Sequence, residues 1–199
     1  MVDGLINFNQ FEITTPIIKV IGVGGGGGNA VEYMYKQGLC DVDFVLCNTD
    51  SQILEHSPIP TIIQLGKNLT EGRGAGNRPE IGEAAANESI DDIKALLSTN
   101  TNMVFVTAAM GGGTGTGAAP VIAKVAKDMG ILTVGIVTIP SRFEGPKRLE
   151  QAREGVKKLK EHVDSLIIID NEKIQRIFGS QTLSSAFAKA NDVLNIAAK

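Results

Sequence analysis

The sequence contains a run of seven residues almost without side chains, Gly-Gly-Gly-Thr-Gly-Thr-Gly at positions 111–117. An apolar, strand-like stretch at 103–108 precedes it, and apolar residues at helical spacing follow it, with Pro120 in the expected first turn and Gly130 as a stop. A loop between a strand and a helix offers unpaired N–H groups at the positive end of a helix dipole, and glycines let a bulky anion approach. The run therefore predicts a phosphate-binding loop.

A second glycine-rich run, Gly-Val-Gly-Gly-Gly-Gly-Gly-Asn at 22–29, follows the strand-like residues 17–21 and leads into a predicted helix at about 30–37, closed by Gly38. One isolated run of this kind is more often a flexible turn. Two runs at equivalent strand-to-helix junctions of one sheet favour a polyphosphate cradled between them.

A third stretch of small residues, 72–80, precedes a predicted long helical region at 80–97, and Pro79 suits the first turn of that helix. Three loops rich in exposed backbone at one sheet edge indicate a triphosphate, with the third loop reaching the terminal phosphate. Arg73 and Arg78 of this loop either contribute to that contact or are simply solvated.

Six apolar runs alternate with helix-like segments and predict the strands of one sheet. Their continuous apolar character indicates burial on both faces, as in a doubly wound α/β fold with a mainly parallel six-stranded sheet and helices on both faces. Right-handed crossovers place the loops that follow the strands at one edge, where ligands bind. The predicted strands are 17–21, 42–47, 61–65, 103–107, 132–138 and 165–169.

Polar residues follow the second predicted strand, at 48–52. Asp50 either meets a ribose, a phosphate or a magnesium-bound water, or caps a short helix at 52–55, and the sequence leaves both interpretations open.

A charged helix, predicted to run to about His162, follows the fifth strand. Of its charges, only Glu144 and Arg148 at its start are expected near a ligand. Most of the others, such as Glu154 and Lys158 four residues apart, are expected on a solvated face.

A last predicted helix begins near Ser184 and carries Phe187 and Asp192. A carboxylate accepts two hydrogen bonds from guanine, whereas the N1 acceptor of adenine would leave it unpaired, at a cost on the order of 1 to 3 kcal/mol. Phe187 either lies against the purine or packs in the core. This helix has no stop signal before Lys199, so we interpret it as continuing in a longer protein.

The composition narrows the functional classes. The chain has 199 residues, 43% of them hydrophobic and 21% charged, as expected for one soluble globular domain. A net charge of -3 does not favour a nucleic-acid or anionic-membrane surface. Residues 1–16 contain no leader pattern and no apolar run approaches a membrane span, which predicts a cytosolic protein with a loose N-terminal arm.

The chemistry-bearing residues outside the loops are few. Cys40 and Cys47 lack a paired motif, and His56 and His162 lack ligand spacing, so reduced thiols are favoured over a disulfide or metal site. No Walker-type lysine motif occurs, and no residue of the phosphate loops is well placed as a general base. The sequence thus predicts binding more completely than it predicts catalysis.

These residues together resemble the FtsZ family of bacterial, tubulin-like cell-division GTPases, from about residue 17 to the end of the chain. The family's glycine-rich signature is matched at 111–117, its first loop at 22–29, its second at 48–50 and its third at 72–82. Its purine contacts are matched by Asn171, Phe187 and Asp192. The resemblance implies GTP or GDP as the ligand, with Mg²⁺ accompanying GTP.

The resemblance also implies roles for single residues. Gly25, Gly26, Gly113, Thr114 and Gly115 would hold the α- and β-phosphates, Ala75 and Gly76 the γ-phosphate, Glu144 and Arg148 the ribose, while Asn29 and Asn171 would assist guanine recognition. The remaining members of the expected binding set are Gly24, Asn48, Asp50, Gly111, Gly112 and Thr116.

The resemblance further implies an arm at 1–16, a GTP-binding domain at 17–181 and the start of a central helix at 182–199. Family members polymerise head to tail in the cytoplasmic division ring at mid-cell, and an acidic loop of the adjoining subunit completes the hydrolytic site. We expect this chain to bind nucleotide but scarcely hydrolyse it. Membrane-tethering and regulatory division proteins would contact a C-terminal part, and neither nucleic acid nor direct membrane insertion is expected.

One departure from the family pattern is Ser141, which follows Pro140 where the family usually has Phe, and this leaves the packing of that loop open.

Two other functional classes compete with a GTPase. An NAD-dependent oxidoreductase would explain Gly22-x-Gly24-x-x-Gly27 and Asp50 but not the second glycine run or Asp192. A pure assembly module would use a nucleotide only to stabilise its fold.

Overall fold

The structure, a computed structural model, describes residues 17–178. The predicted arm at 1–16 and the predicted base contacts Phe187 and Asp192 lie outside these residues.

Six parallel strands form one sheet in the order β3-β2-β1-β4-β5-β6. The order runs outward in both directions from the junction of β1 and β4, so the predicted doubly wound class is confirmed. In such sheets the crevice at the reversal point, beyond the carboxyl ends of the strands, is where ligands bind. The strands are β1 Ile18–Val23, β2 Asp43–Asn48, β3 Thr61–Gln64, β4 Met103–Ala109, β5 Leu132–Ile139 and β6 Ser165–Asp170.

Helices cover both faces of the sheet. The helices are α1 Gly24–Lys36, α2 Ser51–Glu55, α3 Lys67–Thr70, α4 Pro79–Glu88, α5 Ile90–Ser98, α6 Thr114–Asp128, α7 Pro146–Lys160 and α8 Asn171–Phe178, with a 3-10 turn at Arg142–Glu144. Helices α1 and α2 pack their apolar residues on one face, and α4 to α7 pack theirs on the other. No helix of the described range is both long enough and apolar enough to cross a membrane.

Two helices begin earlier than the sequence predicts. Helix α1 begins at Gly24 instead of near residue 30, because its glycines allow the first turns to lie directly on neighbouring strands. A Cβ at Gly27 would collide with the carbonyl oxygen of Thr107 in β4. Helix α6 begins at Thr114, which puts Pro120 in its second turn and not in its first.

The long helix predicted at 80–97 is two helices divided at Ser89. The buried hydroxyl of Ser89 accepts a hydrogen bond from the N–H of Gly66 at 3.0 Å, which fixes the chain at the division. Pro79 occupies the first helical position, as predicted. The short helices α3 and α8 were not predicted.

Glu154 and Lys158 of the charged helix α7 are both exposed, as expected. Lys158 also forms an ion pair with Glu83 of α4 at 2.7 Å. This pair joins α7 to α4 across the same face of the sheet.

The two cysteines occupy opposite environments. Cys40 is exposed, whereas Cys47 in β2 is 1% exposed, and burial raises the pKa of the Cys47 thiol from its ordinary 9.0 to about 12. Burial disfavours the thiolate, so at neutral pH Cys47 is an inert, neutral side chain.

We predict a pH-dependent contribution of Cys47 to stability. Because its pKa is higher in the folded state, this contribution is fully present below pH 9.0 and is lost as the pH rises toward 12. The free energy of unfolding of Cys47→Ala should therefore fall less steeply than that of the wild type above pH 9.0 in urea titrations.

At pH 8 the thiol of Cys47 in Cys40→Ser should react with Ellman's reagent at least about 100-fold more slowly than Cys40 in Cys47→Ala. Equal labelling rates would contradict the burial of Cys47.

Candidate functional site

A cavity of about 400 Å³ opens where β1 and β4 end at the carboxyl edge of the sheet. The loops and helix starts that follow β1, β4, β5 and β6 surround it. Ten of the expected binding residues line it: Gly25, Gly26, Asn29, Gly112, Gly113, Thr114, Gly115, Glu144, Arg148 and Asn171.

Two glycine segments, residues 22–29 and 111–117, contact each other beside the cavity. A Cβ at Gly24 would lie 2.9 Å from the nitrogen of Gly115, and one at Gly115 would lie 2.8 Å from the carbonyl oxygen of Ala109. Gly24 also has a φ of +70°, which favours glycine at the turn from strand to helix. Only residues without side chains allow this separation of the two backbones.

Other glycines of the same segments face open space. A Cβ added at Gly25 or Gly112 would meet no heavy atom within 4 Å, and both residues line the cavity. Helices α1 and α6 start here, and neither Val23 nor Gly113, at their N-cap positions, supplies a capping side chain. Two uncapped helix N-termini thus face one cavity, and such N-termini bind anions through free N–H groups and the helix dipole.

The third loop, residues 72–80, packs against the second glycine segment. A Cβ at Gly113 would lie 2.8 Å from the Cβ of Ala75 and 2.9 Å from the nitrogen of Arg78. Ala75 is buried and does not line the cavity, nor does Gly76. Arg73 is exposed and pairs with Glu71 at 3.2 Å, and Arg78 is also exposed, so both arginines are solvated here.

Ser141 organises the opposite rim of the cavity. Its hydroxyl and N–H form a capping box with Glu144 across the 3-10 turn, and its N–H donates to Oε1 of Glu144 at 2.9 Å. Oε2 of Glu144 accepts from Nη1 of Arg148 at 2.8 Å. A small hydroxyl residue at position 141 is therefore accommodated as a cap that holds Glu144 and Arg148 together.

Two amides near this edge contain buried atoms without a hydrogen-bond partner among the described residues: Oδ1 of Asn171 and Nδ2 of Asn48. Buried polar atoms are nearly always paired, so an unpaired acceptor on a residue that lines a cavity is a place for a ligand donor. Asn171 meets this condition. Asn48 is buried behind the cavity, and its Oδ1 accepts from the N–H of Asp50 at 3.3 Å.

The other expected residues within the described range do not line the cavity. Oδ1 of Asp50 accepts from the N–H of Gln52 at 3.0 Å, so the structure shows Asp50 capping α2. The hydroxyl of Thr116 accepts from the N–H of Gly111 at 2.8 Å and closes the second glycine segment. Gly24 supports the contact between the two glycine segments.

Sequence reasoning missed the floor of the cavity. The missed residues end strands or follow them directly, so strand position is the signal that could have found them. They are Val23, Thr107, Ala108, Ala109, Met110, Thr138 and Pro140.

A larger cavity, of about 590 Å³, lies between α4, α5, α6 and α7. It contains none of the expected binding residues and neither glycine segment, so we regard the smaller cavity as the candidate site. Within residues 17–178 no group of three His, Cys, Asp or Glu side chains is arranged to hold a metal ion.

The strand order and the cavity together define a doubly wound α/β domain with a glycine-lined cavity at its switch point. The family model described as "Tubulin/FtsZ family, GTPase domain" matches residues 17–179. The chain belongs to this family.

Several known proteins are similar to the chain. "Cell division protein FtsZ" of Porphyromonas gingivalis is 53% identical over 200 residues, which cover 100% of this chain and 44% of the relative. The protein of the same name from Pseudomonas putida is 58% identical over 181 residues, covering 90% of the chain and 45% of the relative. The chain thus spans about half the length of the curated relatives that it matches.

A solved structure, "FtsZ dimer, empty (M. jannaschii)", superposes with a TM-score of 0.86 at 43% identity and covers 92% of this chain and 53% of that chain. The fold of the described residues is therefore shared with FtsZ.

Substitution by alanine at two glycines of α1 should have different effects on the free energy of unfolding. Gly27→Ala forces a methyl group into the backbone of β4 and should lower the free energy of unfolding by about 2 kcal/mol or more. Gly25→Ala, the matched control, adds a methyl group in open space and should leave stability unchanged or raise it by about 0.5 kcal/mol. Urea unfolding followed by circular dichroism measures both, and equal losses would show that α1 does not contact β4 as described.

Proposed function

We propose that the cavity binds GTP and GDP and that residues 17–181 form the GTP-binding domain of a self-assembling cell-division GTPase. The observation that carries this proposal is the pair of uncapped helix N-termini, α1 and α6, facing one glycine-lined cavity at the switch point. Such a site suits a polyanion that spans both helices.

The glycine segments would hold the phosphates. Gly25 and Gly26 of α1 and Gly113, Thr114 and Gly115 at the start of α6 would donate backbone N–H groups to the α- and β-phosphates. The open space at Gly25 and Gly112 fits the approach of phosphate oxygens to the backbone. Mg²⁺ would accompany GTP and screen the charge of its phosphates.

The third loop would serve the γ-phosphate through Ala75 and Gly76. Its packing against Gly113 supports this assignment, since it brings the loop to the segment that would hold the β-phosphate.

The rim would hold the nucleoside. Glu144 and Arg148 are fixed by Ser141 and would contact the ribose. The unpaired Oδ1 of Asn171 would accept from guanine, which carries N–H donors on its pairing edge, and Asn29 would assist. Phe187 and Asp192, outside the described residues, would complete base selection.

Hydrolysis would need a carboxylate from an adjoining subunit in a head-to-tail polymer. Glu144 is the only carboxylate lining the described cavity, and both of its oxygens accept hydrogen bonds, so it is poorly placed to orient a water. The similarity to an FtsZ solved as a dimer supports self-association. Because the similar proteins are cell division proteins, we also propose that the chain's parent protein assembles into the cytoplasmic ring at mid-cell. Tethering and regulatory division proteins would be its further partners.

The oxidoreductase alternative has less support. Asp50, its expected ribose ligand, caps α2 with Oδ1. The second glycine segment, which that alternative leaves unexplained, lines the same cavity as the first.

Calorimetric titration with GTP, GDP and ATP tests the proposal. We expect both guanine nucleotides to bind at least about 100-fold more tightly than ATP, since a site built to pair with guanine donors rejects a base that lacks them. Asn171→Ala should weaken GDP binding about ten-fold, and Asp192→Ala should abolish the preference for guanine.

Asn87→Ala is the matched control, because Asn87 borders the larger cavity and should leave GDP affinity unchanged. Saturation by a nicotinamide dinucleotide in preference to GTP would overturn the proposal. Failure to bind any nucleotide would overturn it as well.

The proposed origin of the catalytic group can be tested separately. If the carboxylate that an adjoining subunit supplies lies outside these 199 residues, the chain should bind GTP but release phosphate at least about 100-fold more slowly than the full-length Porphyromonas gingivalis relative under the same conditions. Equal rates per chain would show that the hydrolytic group lies within these 199 residues.

A further inference from the structure

Thr49 lies directly after β2 and is fully buried. It does not line the cavity, and none of the binding roles proposed above belongs to it. It nevertheless makes hydrogen bonds to both sides of the site.

The carbonyl oxygen of Thr49 holds the third loop. It accepts from the N–H of Gly74 at 3.1 Å and from the hydroxyl of Thr70 at 3.2 Å. Next to these bonds, the N–H of Ser51 donates to the carbonyl oxygen of Gly72 at 3.1 Å. The start of the third loop is therefore held on the residues that follow β2.

The hydroxyl of Thr49 contacts the second glycine segment. Its Oγ1 lies 2.7 Å from Oγ1 of Thr114, the first residue of α6 and a lining residue of the cavity. Among the described residues, the hydroxyl of Thr49 has no other hydrogen-bond partner. Either hydroxyl can be the donor of this bond, and when Thr49 donates, the proton of Thr114 is available for a phosphate oxygen.

Helix α3, which leads into the third loop, is itself fixed. The carboxylate of Glu88 accepts from the N–H groups of Asn68 and Leu69 at 2.9 and 3.1 Å, at the start of α3. At its end the hydroxyl of Thr70 also lies 2.9 Å from the carbonyl oxygen of Gly66, so its single proton is shared between this oxygen and the carbonyl oxygen of Thr49. With the start of α3 held by Glu88, the bonds of Thr49 link a fixed element to the phosphate site.

We propose that Thr49 is a positioning residue that couples the phosphate site to the third loop: its hydroxyl orients Thr114 toward a phosphate, and its carbonyl fixes Gly74. This inference rests on the proposed function, since it takes a nucleotide phosphate as the group that Thr114 meets. Coupling is reciprocal, so an occupied phosphate site holds the third loop more firmly.

Cleavage by trypsin after Arg73 reports on the third loop, because Arg73 is exposed. The bond that trypsin cuts joins Arg73 to Gly74, and the N–H of Gly74 donates to the carbonyl oxygen of Thr49. In the wild-type chain, saturating GTPγS should slow cleavage of this bond at least about five-fold, the lower end of ordinary coupling between sites. In Thr49→Val, which keeps the shape and the carbonyl but lacks the hydroxyl, the protection should fall below about two-fold. Mass spectrometry of the fragments, with calorimetry to verify saturation, measures both.

Two further variants serve as controls. Thr49→Ser retains a hydroxyl and should restore the protection. Thr133→Val removes another fully buried hydroxyl, which donates to the carbonyl oxygen of Ile131 at the start of β5, and should behave as the wild type. A loss of protection in Thr133→Val equal to that in Thr49→Val would contradict a specific role for Thr49.

If Thr49→Val does not fold, Thr70→Val removes the side-chain bond to the Thr49 carbonyl from the other side and should also reduce the protection. Nucleotide binding with full wild-type protection in the folded Thr49 or Thr70 variant would overturn the role of Thr49 and leave the proposed function intact. Absence of nucleotide binding by the wild-type chain would overturn both.

Discussion

The structure depends on how closely three pieces of backbone approach one another at the point where the strand order reverses. The first glycine segment lies on β4 and on the second segment, and the second segment lies against the third loop, at distances where an added Cβ would be 2.3 to 2.9 Å from its nearest neighbour. The glycines at these contacts are required by packing, before any role in binding a ligand. The cavity forms because these segments, held together on one side, leave the starts of α1 and α6 uncovered on the other.

Neighbouring glycines of one run therefore have different roles. Gly26 and Gly27 are needed because β4 leaves no room for a side chain, while Gly25 faces open space in the cavity. The same division separates Gly113 from Gly112 in the second segment. A sequence motif that looks uniform thus combines residues that hold the fold with residues that leave room for a ligand.

The sequence allowed the six strands, the two glycine segments and the sheet edge to be predicted, because buried parallel strands are apolar throughout and their ends are marked by small residues. It could not show that the first glycine run is helical, since glycine has a low helix propensity and only contact with β4 explains the result. Nor could it decide between the two interpretations of Asp50, show that Ser141 caps Glu144, or join Thr49 to Thr114. The last of these relations links residues 65 positions apart in the chain, which only the fold brings together, whereas Asp50 and Ser141 bond residues two and three positions away.

The contrast between the two cysteines has a practical consequence for studying the molecule. Cys40 precedes β2 at the amino edge of the sheet, and the cavity lies at the carboxyl edge, beyond a strand of six residues, about 20 Å long. Since Cys47 is buried, a maleimide dye would attach to a single site on the unmodified chain. Fluorescence from that position would report on rotation and association of the whole molecule while leaving the glycine segments untouched.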